Sequence, residues 1–201
     1  MLRDPYRRLF LEANAASHPI VVEAAGFSGP GALLSGRLGL GLGSRLMVAG
    51  LTDPGILPGL RLRLGLTGQL MVIDPSQENL GAIPGDDAFW AVVLKAQASQ
   101  LPNLDSSLDA ILCWSSFMGL GPLGRITEEF FRVLAPGGRV FVAYAGRSLA
   151  DRPRPCLVGM ERLFLQAGFS RLDLEEDEDL WLFRAEKVAG FDLSLSMMGR
   201  A

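Results

Sequence analysis

The sequence predicts a doubly wound α/β domain built on a mostly parallel sheet and closed at one edge by an antiparallel hairpin. Three observations carry this. From residue 45 onward, short apolar runs alternate with amphipathic stretches, the pattern of parallel strands covered by helices on both faces. Residues 170–187 alternate in two halves around an acidic turn, which reads as a hairpin. The chain has 201 residues, 49% of them hydrophobic, enough for one domain with a sizeable core and too apolar for disorder.

The elements follow in order. Residues 3–16 place Tyr6, Leu9, Phe10 and Ala13 at helical spacing, with Asp4 as N-cap and Pro5 as the first helical residue. His18-Pro19 breaks this helix, and a short helix to Ala25 follows. The Leu/Gly run from Gly31 to Gly43 has no clean period and reads as a connector. The segment 1–44 thus forms an N-terminal helical cap, 45–187 the core, and 188–201 a tail.

"RLMVAG" (45–50) is the first strand. "GILPGLRLRLGL" (55–66) is the crossover helix, its start limited by Pro58. "QLMVIDP" (69–75) is the second strand, and "QENLGAI" (77–83) begins a short helix. A third strand is placed at Ala91 to Lys95, and "LDAILCWS" (108–115) is the fourth. "GPLGRITEEFFRVL" (121–134) is an amphipathic helix stopped by Pro136-Gly137-Gly138, and "RVFVAYAG" (139–146) is the fifth strand. "CLVGMERLFLQAGF" (156–169) is a helix capped by Gly168, and the hairpin follows.

Composition excludes several classes. A net charge of −3 leaves no electrostatic footprint for nucleic acid. The longest uncharged stretch, 110–124, contains Ser, Gly and Pro and falls short of the roughly 20 residues a spanning helix needs. The start, "MLRDPYRRLF", lacks the apolar core of a signal peptide, so a cytoplasmic protein is expected. Cys113 and Cys156 are too few for a disulfide framework or a zinc site, and Cys113 reads as a small buried hydrophobe.

Three stretches carry a resemblance. "LPNLDSSLDAILCWSSFMGL" (101–120), "ITEEFFRVLAPGGRVFVAY" (126–144) and "LFLQAGFSRLDLEEDEDLWLFRAEK" (163–187) stand in the order of the class I S-adenosylmethionine-dependent methyltransferases. They are similar to that family's approach to its fourth strand, its helix with Pro-Gly-Gly turn and fifth strand, and its Ala-Gly-Phe helix end with closing hairpin. The resemblance covers roughly residues 45–187 and implies a Rossmann-like sheet of seven strands. It implies a cofactor, S-adenosylmethionine, outside the carboxyl ends of the first strands, where strand order reverses. It makes Asp74 the partner of the ribose hydroxyls, with Pro75 beside the adenine. The other reading of Asp74-Pro75-Ser76 is a cap for the next helix. Gln97 and Ala98 fall where the family places an acidic and a small residue at the adenine. A glutamine amide still offers an acceptor there, although a surface loop would also place it. Trp114 falls at the pocket lining, where an aromatic face favours a sulfonium, or it simply packs.

The glycine loop departs from the family. Its form is Gly-x-Gly-x-Gly, with an acidic residue in the strand before it. Aligned on Gly50, the acidic position is Val48, the second glycine is Thr52 and the third is Pro54. Such a loop turns less tightly and offers fewer amide donors. Either Asp53 replaces the missing carboxylate, or the loop no longer binds the cofactor in the usual way. Asp53-Pro54-Gly55 also reads as a plain turn.

Two functions follow. One is S-adenosylmethionine-dependent methyl transfer to an acceptor the residues do not identify. The alternative is a catalytically inactive pseudoenzyme, a methyltransferase-like subunit for partner binding or assembly. Methyl transfer needs alignment more than a catalytic side chain, so no catalytic residue is expected from the sequence. His18, the sole histidine, is a base or a surface cap. Asp105 and Asp109 read as structural, and the acidic run 175–179 as a solvated hairpin tip. The segment 31–43 and the tail with Met197 and Met198 are candidates for a homodimer or protein-partner surface, or for ordinary core.

Overall fold

The computed structural model describes residues 34, 36–83, 91–145, 156–177 and 180–188. The helix expected over 3–16, His18, and Met197 and Met198 lie outside these. Seven strands form one sheet: β1 (Arg45–Leu51), β2 (Gln69–Asp74), β3 (Ala91–Lys95), β4 (Leu108–Trp114), β5 (Leu134–Ala145), β6 (Ser170–Glu176) and β7 (Leu180–Glu186). Their spatial order is β3-β2-β1-β4-β5-β7-β6. All pairs are parallel except β5 with β7 and β6 with β7. This is the doubly wound sheet with a closing hairpin that the alternation of apolar and amphipathic stretches predicts.

Side chains leave a strand alternately to its two faces, so each inner strand feeds two cores. Met47 and Ala49 join one core, with Ile111, Cys113, Val140 and Val142. Leu46 and Val48 join the other, with Val72, Leu112 and Phe141. The first core is covered by α3 (Leu123–Val133) and α4 (Leu157–Gln166), through Ile126, Phe130, Val133, Met160 and Phe164. The second is covered by α1 (Leu57–Leu64), through Leu57, Leu60 and Leu64, and by Leu34 and Leu38. A short helix, α2 (Gln77–Gly81), follows β2. Burying apolar side chains of this size contributes roughly 1.5–3 kcal/mol each, which is why these faces, rather than helix propensity, hold the layers together.

Boundaries differ from the sequence reading where long-range pairing wins. β5 starts at Leu134, directly after α3, instead of after the Pro-Gly-Gly turn. Leu134 pairs with Leu108, the Gly137 N–H donates to the Lys187 carbonyl, and the Lys187 N–H donates to the Gly138 carbonyl. Those partners lie far along the chain and pull the turn into the sheet. The crossover divides into a 3₁₀ turn at Pro54–Ile56 and α1. The acidic run 175–179 begins within β6; residues 178 and 179 lie outside the described residues, and Glu175 and Asp177 are ion-paired. Arg37 donates to Glu175 (2.7 Å) and Asp177 (2.6 Å), and Arg184 donates to Asp173 (2.6 Å) and to Glu175. These ion pairs tie the segment before β1 to the hairpin.

Candidate functional site

The order reverses between β1 and β4: the chain runs outward from β1 through β2 to β3, then returns to β4 on the other side. Ligands of open α/β sheets sit outside the carboxyl ends of the strands at such a point. The side chains there can be taken strand by strand.

Gly50, the penultimate residue of β1, has φ +74°. An added Cβ would lie 2.7 Å from Leu120 Cδ2, 2.7 Å from Ser116 Cβ and 2.9 Å from Ser116 Oγ. Only glycine fits, and the backbone surface it opens is covered by the protein itself. Ser116 Oγ donates to the Ala49 carbonyl (2.8 Å), and Thr52 Oγ1 donates to the Trp114 carbonyl (2.8 Å). Ser115, between them, has φ +52°, a left-handed conformation uncommon away from glycine. Its N–H donates to the Ala143 carbonyl at 2.7 Å. Two hydroxyls therefore close acceptors on each side of the reversal point. Asp53 is exposed, and its Oδ1 accepts from the Gly55 N–H (2.8 Å), so it caps the 3₁₀ turn.

β2 ends in Asp74, which is 3% exposed. Its carboxylate accepts from the Leu51 N–H (2.8 Å), the Ser76 N–H (2.7 Å) and Asn79 Nδ2 (3.1 and 3.2 Å). Burying a carboxylate demands such a set of donors. It joins the loop after β1 to the start of α2, and Ser76 Oγ caps α2 by accepting from the Asn79 N–H.

Beyond the carboxyl ends of β2 and β3 lies an open cleft of about 720 Å³. Pro75, Leu94, Leu101 and Pro102 give it apolar walls. Lys95, Gln97 and Gln100 supply its polar side chains, and none of its described lining residues is a carboxylate. Lys95 stands opposite Asp74 in the β2–β3 register, yet Asp74 is held by other donors.

The structure thus brings Pro75 and Gln97 together in one cleft, with Ala98 buried beside it. Asp74 and Gly50 stand at the ends of neighbouring strands, linked through the Leu51 N–H. Trp114 is buried, its indole packed in the core that α1 covers, and its carbonyl faces Thr52. Sequence reasoning missed Lys95, Ser116 and Leu120. The αL residue Ser115 left no signal, because serine does not announce a positive φ. Among the described residues no group of His, Cys, Asp and Glu is placed to hold a metal ion, and no helix is long and apolar enough to cross a membrane.

Residues 52–142 match the family model described as a methyltransferase domain. No curated protein matches the chain by sequence. Among solved structures, the chain is similar to an S-adenosylmethionine-dependent methyltransferase from Aquifex aeolicus: TM-score 0.65, 21% identity, over 79% of this chain and 90% of that one. It is also similar to the complex between the Haloferax volcanii Trm112 methyltransferase activator and a protein described as a methyltransferase: TM-score 0.63, 19% identity, over 78% and 87%. A third is a Haemonchus contortus N-methyltransferase crystallised with phosphomonomethylethanolamine and S-adenosylhomocysteine: TM-score 0.63, 13% identity, over 79% and 52%. At these identities the structural likeness is one of fold.

Proposed function

We propose that this chain, whose residues 52–142 match a methyltransferase-domain model and whose fold is that of S-adenosylmethionine-dependent methyltransferases, binds S-adenosylmethionine at the carboxyl ends of β1–β3 and transfers its methyl group. The observation that carries this is the cleft between Pro75 and Leu101. Its apolar walls suit a flat base, and the Gln97 and Gln100 amides offer both acceptors and donors to the base's edge. Asp74 borders the ribose position from the end of β2. Asp53, exposed after β1, is the loop carboxylate nearest the remainder of the cofactor on this reading, while Gly50 lies under Ser116 and Leu120 and the Trp114 indole packs in the core.

When bound, the sulfonium supplies an activated methyl group and leaves as a neutral thioether. The chain's own contribution is positional. The cleft fixes the base, the strand ends fix the sugar, and the acceptor nucleophile is left aligned with the methyl carbon.

A second reading has an observation of its own. The Thr52–Trp114 and Ser116–Ala49 hydrogen bonds, with Leu120 lying on Gly50, fill the reversal point from within. A subunit that keeps the fold for assembly would tolerate this closure. A likeness to a methyltransferase seen with its activator fits a protein partner on either reading.

Calorimetric titration with S-adenosylmethionine and S-adenosylhomocysteine separates the two. The enzyme reading expects saturable binding that Gln97→Ala weakens about tenfold, the loss of one good hydrogen bond to the base. No heat at millimolar ligand removes that reading and leaves the assembly subunit.

A further inference from the structure

One wall of the cleft has an unusual support. Residues 99–105 lie between β3 and β4 and belong to no ladder. Leu101 and Pro102 line the cleft, and Leu101 is buried. The backbone on either side of Pro102 is held from α3. The Leu101 N–H donates to Glu129 Oε2 at 2.9 Å. Arg132 Nη2 donates to the Leu101 carbonyl at 3.1 Å, and Nη1 to the Asn103 carbonyl at 2.9 Å and to Asp105 Oδ1 at 2.7 Å. The two side chains also hold each other, Arg132 Nε to Glu129 Oε1 at 2.9 Å and Nη2 to Oε2 at 2.8 Å. The Ser106 N–H adds a bond to the Arg132 carbonyl at 3.0 Å.

We propose that Glu129 and Arg132 are positioning residues that set the Leu101–Pro102 wall of the cleft and thereby its grip on a ligand. This rests on the reading of the cleft as the nucleoside site. The planar guanidinium fork reaches Leu101, Asn103 and Asp105 through Nη1 and Nη2 while Nε is held by Glu129, and so fixes their spacing; a flexible ammonium cannot reproduce that fork. Glu129 closes the arrangement by taking the Leu101 amide and two of the Arg132 nitrogens. Neither side chain is among those lining the cleft, so neither touches the ligand. A wall held in advance costs a ligand no ordering on binding, whereas a loose one does.

The test uses the full chain with Arg132→Met, Glu129→Gln and, as a control on the same helix, Arg125→Met, an exposed residue outside this arrangement. Two quantities are read: affinity for S-adenosylhomocysteine by calorimetry, and amide exchange of Leu101 and Asn103 by mass spectrometry, each beside the global melting temperature. Arg132→Met is expected to weaken S-adenosylhomocysteine and to speed exchange in residues 101–103, both by about tenfold or more, at temperatures where the variant is fully folded. Glu129→Gln shows a smaller change in the same direction, and Arg125→Met shows none. Unchanged affinity and unchanged local exchange in Arg132→Met overturn the proposal, as does a loss that Arg125→Met shares. If the wild type binds neither S-adenosylmethionine nor S-adenosylhomocysteine, the nucleoside reading fails by itself. The wall is then judged on local exchange alone: acceleration confined to 101–103 supports its support by the pair, and none refutes it.

Discussion

At the scale of single residues, two positions in the crevice are fixed by different physics. Gly50 is fixed by space. Alanine there would combine a left-handed backbone with a Cβ 2.7 Å from Ser116 and Leu120, so Gly50→Ala is expected to lower stability by about 1–3 kcal/mol in urea unfolding. Asp74 is fixed by donors. Asp74→Ala strands the buried Leu51 amide, while the half-buried Ser76 amide and the exposed Asn79 side chain can turn to water, with an expected cost of about 1–3 kcal/mol. A melting point unchanged by Asp74→Ala would show that water reaches those donors freely. The same residue illustrates how far sequence goes. Its place at the end of a strand, before Pro75 and Ser76, was legible. The donation from Leu51 was not, because nothing in the spelling of "AGLTDPG" says which carboxylate its amides will meet. Of its two readings, the cap for the next helix is the one whose contacts are on view: Asp74 accepts from Ser76 and Asn79 at the start of α2, where Ser76 is the N-cap.

Between elements, the strand periods and their order could be read directly, and β3 occupies Ala91–Lys95 as expected. What sequence could not show was how loops are tied to distant elements. Arg45 and Asp109 are an example. The Arg45 N–H and guanidinium both bond Asp109, at 2.8, 3.1 and 2.7 Å, and lock β1 against the start of β4. Hydrogen bonds from Arg45 hold the Asp109 carboxyl below its ordinary range. Hydrogen bonds from Arg132 do the same for Glu129. Each acid therefore binds its proton less readily folded than unfolded. Their contribution is complete above the unfolded carboxylate range and is lost as the pH falls through it toward the lowered folded values. Stability measured by denaturant should fall below about pH 4.5, and Asp109→Asn or Glu129→Gln should each flatten that slope. An equal slope in both variants would mean that other carboxylates carry the acid response.

For the molecule as a whole, the two cysteines report on the integrity of the core. Cys113 lies on β4 and is buried, and burial pushes its thiol well above the ordinary range; Cys156, before α4, is exposed. A native sample should therefore release one equivalent of thiol to an aromatic disulfide reagent promptly and the second only on unfolding. Rapid reaction of both would show that β4 opens in the native state. The sheet order carries a further consequence. β7 is last in sequence but sits between β5 and β6, and brings Trp181 and Phe183 into the core with it. A nascent chain emerging from the ribosome can assemble β1 to β5 before residue 180 is made, yet the outer rim of β5 has nothing to pair with until then. Until residues 180–186 are in place, β5 is thus a bare strand edge with which a neighbour's strand could pair, and a chaperone covering that edge would guard the chain in that interval.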